Sequence, residues 1–331
     1  MPTGKSQGDN LAYSTLQFRQ IWKFGTLLAV AIFLSGCEAP LNLAGVEQEL
    51  AKPIHRYDQF QAAARNDKLM VVVGEAGAVL VSGDNGRTWQ RQELPGRPTL
   101  IDLALCADGR FVALDTTRRV WLSDHKATDW QASPIETMEA VMALTCDGQN
   151  RIWVVAGFST ILSSADGGVS WNEESFDEDA QLTSVQFLDE NIAYITGEFG
   201  MVLKTSDAGA NWERIADIPG EFYPQAAHFV DTERGWAVGL NGAIVHTSDG
   251  GESWQSQDSG VNIPLYGITG AGETLYAVGE NGFVLRYAAG TWQALPHENN
   301  ILSYLRAASA GPDSLLVAGG NGVLFTLATG G

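Results

Sequence analysis

Gly235-Trp-Ala-Val-Gly-Leu-Asn-Gly-Ala-Ile-Val-His-Thr-Ser-Asp-Gly-Gly-Glu-Ser-Trp254 is one of several near-copies of a single unit in this 331-residue chain. It reads as an apolar run, a glycine-bounded turn, a second apolar run and an eight-residue box ending in tryptophan. The box recurs as Ser82-x-Asp84-x-Gly86-x-Thr88-Trp89, Ser164-x-Asp166-x-Gly168-x-Ser170-Trp171, Thr205-x-Asp207-x-Gly209-x-Asn211-Trp212 and Thr247-x-Asp249-x-Gly251-x-Ser253-Trp254. Trp89, Trp130, Trp171, Trp212, Trp254 and Trp292 follow one another at steps of 41, 41, 41, 42 and 38. Turns centred near Gly74, Leu114, Gly157, Gly197, Gly239, Gly279 and Gly319 mark seven units. Self-similarity at this period is the signature of stacked supersecondary units, each unable to bury its apolar surface alone.

Within the first unit the pattern predicts a strand near 57–64, then Leu69–Val73, the turn Gly74–Gly77, Ala78–Ser82, the box, and a last strand over Thr88–Leu94. Asn241-Gly242, Asn281-Gly282 and Asn321-Gly322 are hairpin signals, because these residue types tolerate positive φ. Four short strands per unit at this period predict an all-β fold: a seven-bladed β-propeller of four-stranded blades. Unit 7 runs out after three strands. Gln48-Glu49-Leu50 echoes Gln92-Glu93-Leu94, so residues 45–51 are expected to supply the missing strand, closing the last blade and removing its open edge. Units 2 and 6 are degenerate: Asp124 and Trp130 are six apart rather than five, Trp292 lacks its aspartate, and the charged stretch Asp115-Thr-Thr-Arg118-Arg119 replaces the glycine turn of unit 2.

The first segment reads as an address. Lys5, Arg19 and Lys23 precede the 11-residue apolar run Phe24–Leu34, too short to span a bilayer, for which about 20 residues are needed. This is the pattern of an export signal. Leu34-Ser35-Gly36-Cys37 resembles the lipobox of bacterial lipoproteins, which implies cleavage after residue 36 and acylation of Cys37. The expected organisation is a signal peptide over 1–36, a tether over 37–45 and a propeller over 46–331. Multiple acyl chains on Cys37 would give stable anchoring, and Glu38 leans toward the outer membrane. The expected location is the periplasmic side of the cell envelope.

The formal charge is −19, and loss of residues 1–36 leaves 17 basic against 38 acidic side chains, or −21. Such a surface repels nucleic acid and anionic headgroups. It serves solubility, or it selects a cationic partner. Cys106 and Cys146, 40 residues apart, fall at matching places on neighbouring units. An oxidising periplasm permits a disulfide between them, but equivalent sites on adjacent blades are often too far apart to bridge, which favours buried free thiols. The run Glu173-Glu174-Ser-Phe-Asp177-Glu178-Asp179 lacks the glycine and spacing of a calcium loop and reads as solvated. His55, His125, His228, His246 and His297 show no ligand spacing. No metal or cofactor is expected. Phosphate loops, nucleophile elbows and dinucleotide fingerprints are absent from the sequence.

In each box an aspartate and a hydroxyl side chain can accept backbone N–H bonds within a tight turn. The glycine takes a conformation other residues resist, and the tryptophan anchors the turn. The motif resembles the Asp-box, or BNR repeat, of sialidases, sortilin-type receptors and several glycosidases. That resemblance implies a structural role for Asp84, Trp89, Asp166, Trp171, Asp207, Trp212, Asp249 and Trp254. The order within Tyr194–Trp212 and Gly235–Trp254 is more specific and resembles blades of the photosystem II stability/assembly factor-like family over about residues 45–331. This resemblance implies a non-enzymatic propeller that acts on membrane protein complexes, including photosystem II in the photosynthesis of phototrophic members. Those members are associated with an arginine-rich face. Here Arg118-Arg119 is the only arginine pair, so the architecture is expected to be kept and the client changed.

The leading expectation is thus an envelope-anchored assembly scaffold that binds a membrane protein complex. A passive glycan or small-ligand binder is the alternative, and a glycosidase or sialidase follows. A sialidase is disfavoured because it needs an arginine cluster and these innermost strands are arginine-poor; a glycosidase needs only two facing carboxylates, and the 38 acidic side chains left after loss of residues 1–36 leave such a pair open. Candidate partner-binding residues are Tyr57, Tyr223, Tyr266 and Tyr304 at the entries to innermost strands, where they either anchor a partner or fill the channel mouth. Hairpin-tip residues Glu75, Phe158, Phe199, Leu240 and Glu280 would form a second ring. Phe158 and Phe199 at tight tips are harder to explain as core than the tyrosines.

Overall fold

The computed structural model describes residues 43–297 and 301–329. Cys37, its lipobox and the export signal lie outside the described residues. Two units are distinguished, one ending at Ala51 and one running from Lys52. In the first, Ala44–Leu50 forms a seven-residue helix. The second is a seven-bladed propeller whose strands run from Phe60 to Ala328. Six sheets have four antiparallel strands in sequence order and the seventh has three.

Blade 1 is typical: Phe60–Arg65, Met70–Gly74, Ala78–Ser82 and Gln90–Glu93 run from the axis outward. The innermost strand alternates buried and half-buried residues, because one of its edges faces the channel. The second strand is buried throughout, as are Phe111–Asp115, Ile152–Ala156 and Ala193–Gly197 in the next three blades. Such strands carry a neighbouring blade on both faces, so their sequences are continuous apolar runs. Outer strands such as Asn172–Ser175 are exposed.

The core is therefore seven layers between blades. Val71, Val73 and Val79 of blade 1 pack on Leu100, Leu103 and Phe111 of blade 2. The ring closes where Phe60, Met70, Val72 and Leu80 meet Ala307, Leu316 and Ala318 of blade 7. The Arg65 guanidinium reinforces this seam, donating to the Ser314 carbonyl at 3.1 Å and its hydroxyl at 3.0 Å.

Two expectations are corrected. Residues 45–51 do not add a strand to blade 7: Ala44–Leu50 is helical, and among the described residues the seventh sheet ends at Leu324–Ala328. Glu47, Gln48, Glu49 and Leu50 are strong helix formers, and Glu47 sits in the first turn where the helix dipole favours an acid. Gln-Glu-Leu carries little strand preference of its own. Gln92-Glu93 is extended because it pairs with Ala78 and Val79.

The second correction concerns the thiols. Cys106 and Cys146 form a disulfide, with Cα atoms 4.9 Å apart. They lie at the ends of the innermost strands of blades 2 and 3, Leu100–Leu105 and Val141–Cys146. Innermost strands converge on the axis, so equivalent positions there are close although the blades splay apart farther out. Asp102 bridges the same two strands, accepting from the N–H groups of Leu103 and Leu144, each at 2.8 Å. The bridge closes a loop with a sequence separation of 40, for which chain entropy gives roughly 4 kcal/mol. Replacing both cysteines with serine should lower the urea midpoint accordingly, measured without reductant, and adding reductant to the native chain should reproduce the loss.

Candidate functional site

The two faces of the ring differ in kind. One carries the boxes. In the first, the Ser82 hydroxyl donates to Asp84 at 2.8 Å and accepts from the Gly86 N–H at 2.9 Å. Asp84 accepts from the Thr88 N–H at 2.9 Å and the Thr88 hydroxyl at 2.6 Å. The other three boxes repeat this set with Ser170, Asn211 and Ser253 in the place of Thr88. Bonds from the Thr88 side chain and backbone, then from Ser82, pull the Asp84 carboxyl down to about 2. Their counterparts do the same for Asp166 and Asp249, and Asp207 shifts in the same direction. These carboxylates are committed acceptors inside their own turns and hold no proton to donate.

Gly86 and Gly209 show why the box needs glycine. Both have left-handed φ, +79° and +78°. A Cβ on Gly86 would lie 2.8 Å from the Thr326 methyl of blade 7, and one on Gly209 would collide with the Trp153 ring of blade 3. Each box thus seats on the preceding blade, and the first box seats across the seam. Trp212 and Trp254 are buried. Trp89 and Trp171 are half-buried, and the Trp171 indole N–H reaches the Pro134 carbonyl of blade 2 at 3.2 Å. Degenerate unit 2 keeps the turn: Asp124 accepts from the Thr128 N–H at 2.7 Å, and Asp129 is the extra residue before Trp130.

The opposite face is made by the hairpins between second and third strands and by the links from one blade to the next. Hairpin N–H groups tie the two together, as in Glu75 to the Gln59 carbonyl and Glu198 to the Gln181 carbonyl. Among the propeller's described residues, the exposed large apolar side chains are Tyr57, Met138, Phe158, Phe199, Tyr223, Leu240, Phe283 and Leu302 here, and Val169 in a box. Phe158 is 44% exposed and Phe199 58%. Both sit on left-handed backbone, with φ of 52° and 60°. Three other hairpins place Asn241, Asn281 and Asn321 at the same bend as Phe199, the residue type that tolerates it.

The four tyrosines divide. Tyr57 and Tyr223 are exposed. Tyr266 and Tyr304 are half-buried at the channel mouth, edge to face with centroids 6.3 Å apart. The Tyr266 hydroxyl donates to Glu280 at 3.0 Å, and that of Tyr304 to the Gln59 side-chain carbonyl at 3.0 Å. Burial first, then neighbouring glutamates, pushes the Tyr223 and Tyr266 phenols up, so they act as neutral donors.

All seven innermost strands line a channel cavity of about 230 Å³. Two of its groups escaped the sequence reading: Arg306, the lining cation, and Asp102, whose carboxyl burial pushes up against its backbone hydrogen bonds. Aligning the units one residue past the buried start of each innermost strand would have found Arg306, since Gln61, Ile101, Met142, Thr183 and Tyr266 hold the same inward place. Among the described lining residues there is one arginine and one carboxylate. The cavity therefore offers neither the arginine cluster of a sialidase nor the facing carboxylates of a glycosidase.

The family model described as photosynthesis system II assembly factor YCF48 matches residues 122–227, from the third strand of blade 2 to the innermost strand of blade 5. The chain is similar in fold to YCF48 from Cyanidioschyzon merolae, with TM-score 0.67 and 15% identity over 82% of this chain and 96% of that one. It is similar to YCF48 bound to D1 peptide, with TM-score 0.69 and 13% identity over 84% of this chain and 94% of that one. Virginiamycin B lyase from Staphylococcus aureus also matches, with TM-score 0.69 and 14% identity over 79% of this chain and 92% of that one. No curated protein matches. The resemblance to the photosystem II assembly-factor family thus stands on a family model as well as on quoted blades, while the solved structures speak to the fold.

The box carboxylates set an acid limit on the staples. Their acidity in the fold is raised above that of a free carboxyl, near 3.9, so their contribution is complete above about pH 4 and is lost as pH falls toward 2. The triple variant Asp84→Asn, Asp166→Asn, Asp249→Asn should be less stable at neutral pH. Its denaturation midpoint should fall less steeply than the native chain's between those limits.

Proposed function

We propose that this chain is a non-enzymatic scaffold of the cell envelope that binds a membrane-protein partner on its hairpin face during assembly of a larger complex. One observation carries the reading: the large apolar side chains left exposed on the propeller gather on that face, and two of them occupy backbone that disfavours their residue type. Strained positions persist where the surrounding structure holds them in place, and they cluster at functional sites. Aromatic anchors of this kind supply most of the energy in protein interfaces. The family match adds support, as does a fold relative whose structure is described as bound to D1 peptide.

Anchoring rests on the sequence alone. An acylated Cys37 would hold the propeller at the periplasmic surface of the outer membrane, which suits a partner embedded in or emerging from a bilayer. Passive small-ligand binding in the channel is the weaker reading. The cavity of about 230 Å³ is smaller than the roughly 300–1,000 Å³ of ordinary ligand pockets. A lyase role has only a distant likeness of fold behind it.

The test is affinity recovery of the tagged, full-length chain from mildly solubilised envelopes. The native chain is expected to retain a defined membrane complex above a Cys37→Ala control, and a Phe158→Asn, Phe199→Asn variant is expected to lose it. Asparagine accepts left-handed φ, so the variant should melt within about 2 °C of the native chain, as for a surface change. Equal recovery by both chains would defeat the assignment of the face. Turnover of glycosides or of virginiamycin B would defeat the non-enzymatic reading.

A further inference from the structure

We infer that the sector of the hairpin face spanning blades 3 and 4 docks a basic, amphipathic polypeptide segment of the partner. This rests on the scaffold reading above and adds the chemistry of what is bound. Met138, 88% exposed, Phe158 and Phe199 give the sector its apolar centre. They sit on consecutive elements that are tied together. The Gly157 N–H donates to the Ala140 carbonyl at 2.9 Å, joining the Phe158 hairpin to the link that carries Met138. The Ser159 N–H donates to the Ala180 carbonyl at 2.7 Å, and the Glu178 N–H to the Ser159 hydroxyl at 3.0 Å, which lays the acidic link 176–180 beside the same hairpin. The Gln181 N–H then donates to the Glu198 carboxylate at 2.8 Å, next to Phe199.

Carboxylates outnumber cations around this centre: Glu139, Asp177, Glu178, Asp179 and Glu198 stand against Arg118 and Arg214. Glu139 lies against the Phe158 hairpin, 3.4 Å from where a Cβ on Gly157 would stand. Asp177 and Asp179 are exposed. Of Arg214 and Arg118, only the first has its charge paired among the described residues. Arg214 is paired with Glu178 and Asp217, and Arg118 donates to the Met138 carbonyl at 3.1 Å. Three exposed apolar side chains among Glu139, Asp177 and Asp179, which have no cationic partner among the described residues, select a segment that pairs lysine or arginine with large apolar residues. The same field repels anionic lipid and acidic peptide.

Fluorescence anisotropy with the full chain tests this. The probes are a labelled peptide of lysine pairs interrupted by single leucine or phenylalanine residues, and its lysine-to-glutamate counterpart. Vesicles of phosphatidylglycerol form a third arm, read by co-sedimentation. The basic peptide should bind and the other two should not. Phe158→Asn with Phe199→Asn should weaken binding by about tenfold or more, as loss of interface anchors does. Glu139→Gln with Asp177→Asn and Asp179→Asn should weaken it comparably and flatten its dependence on salt between about 50 and 300 mM, where surface charges are screened. Equal binding of the basic peptide by native and variant chains would overturn the inference, because the contact would then be diffuse charge. Preference for the acidic peptide or for vesicles would overturn it too. If envelopes yield a complex that the basic peptide fails to displace, the docking chemistry is wrong and the scaffold reading stands. If the peptide binds in the sector but envelopes yield no complex, the surface stands and the membrane-complex reading fails.

Discussion

A blade of this protein has two apolar faces and no means of covering either. Val72 and Val73 point to opposite sides of one strand, and both are fully buried because different blades lie against them. Six of the seven layers join units adjacent in sequence. The seventh, between blade 1 and blade 7, is the condition for all the rest, since without it two blades would show an open core face to water. The seam is built as such a constraint requires. Apolar contact from Phe60 to Leu316 fills its centre, the Arg65 guanidinium locks one edge onto Ser314, and the first box seats against Thr326 on the rim.

That arrangement also divides labour between the faces. On the box side the four box aspartates are spent within their own turns, so the carboxylates that look most like catalytic ones in the sequence are the least free to act. On the hairpin side the turns need only a residue that accepts positive φ, and the identity of the tip is otherwise released from the fold. Asn241, Asn281 and Asn321 meet that need cheaply, whereas Phe158 and Phe199 meet it at a cost in strain. At the bend that Phe199 shares with Asn241, Asn281 and Asn321, the contrast is between residues the turn favours and one it disfavours.

Much of this was legible in the sequence because the period is long and the punctuation strong. The box marks the end of the third strand, Asn-Gly marks the hairpins, and apolar runs such as Leu69–Val73 mark the strands between them. What was not legible depended on distance through space. Gln48-Glu49-Leu50 and Gln92-Glu93-Leu94 are the same letters, yet one is helical and the other extended, because only the second has a strand to pair with. A spacing of 40 residues does not say whether two equivalent sites lie at the axis or at the rim, and Cys106 and Cys146 bridge because their strands converge at the axis. Arg306 becomes legible only when the units are aligned, since its inward place one residue past the start of its strand is shared with Gln61, Ile101, Met142, Thr183 and Tyr266. The four candidate tyrosines share one place in the repeat, but what separates them is not local: the bonds holding Tyr266 and Tyr304 come from Glu280 and Gln59.

The seam has a consequence in time. The Arg65–Ser314 bond spans 249 residues, whereas the other layers form between neighbours about 40 apart. Contacts of high sequence separation form late, because loop-closure entropy is paid before they give anything back. A chain emerging from a ribosome or a translocation pore therefore completes six layers in order while the outer face of its first blade stays wet. That face, with Phe60, Met70 and Leu80 on it, has no cover until the last blade arrives. The period when this protein is most exposed to misassociation is thus set by the order of synthesis, and it ends only when the final blade is released.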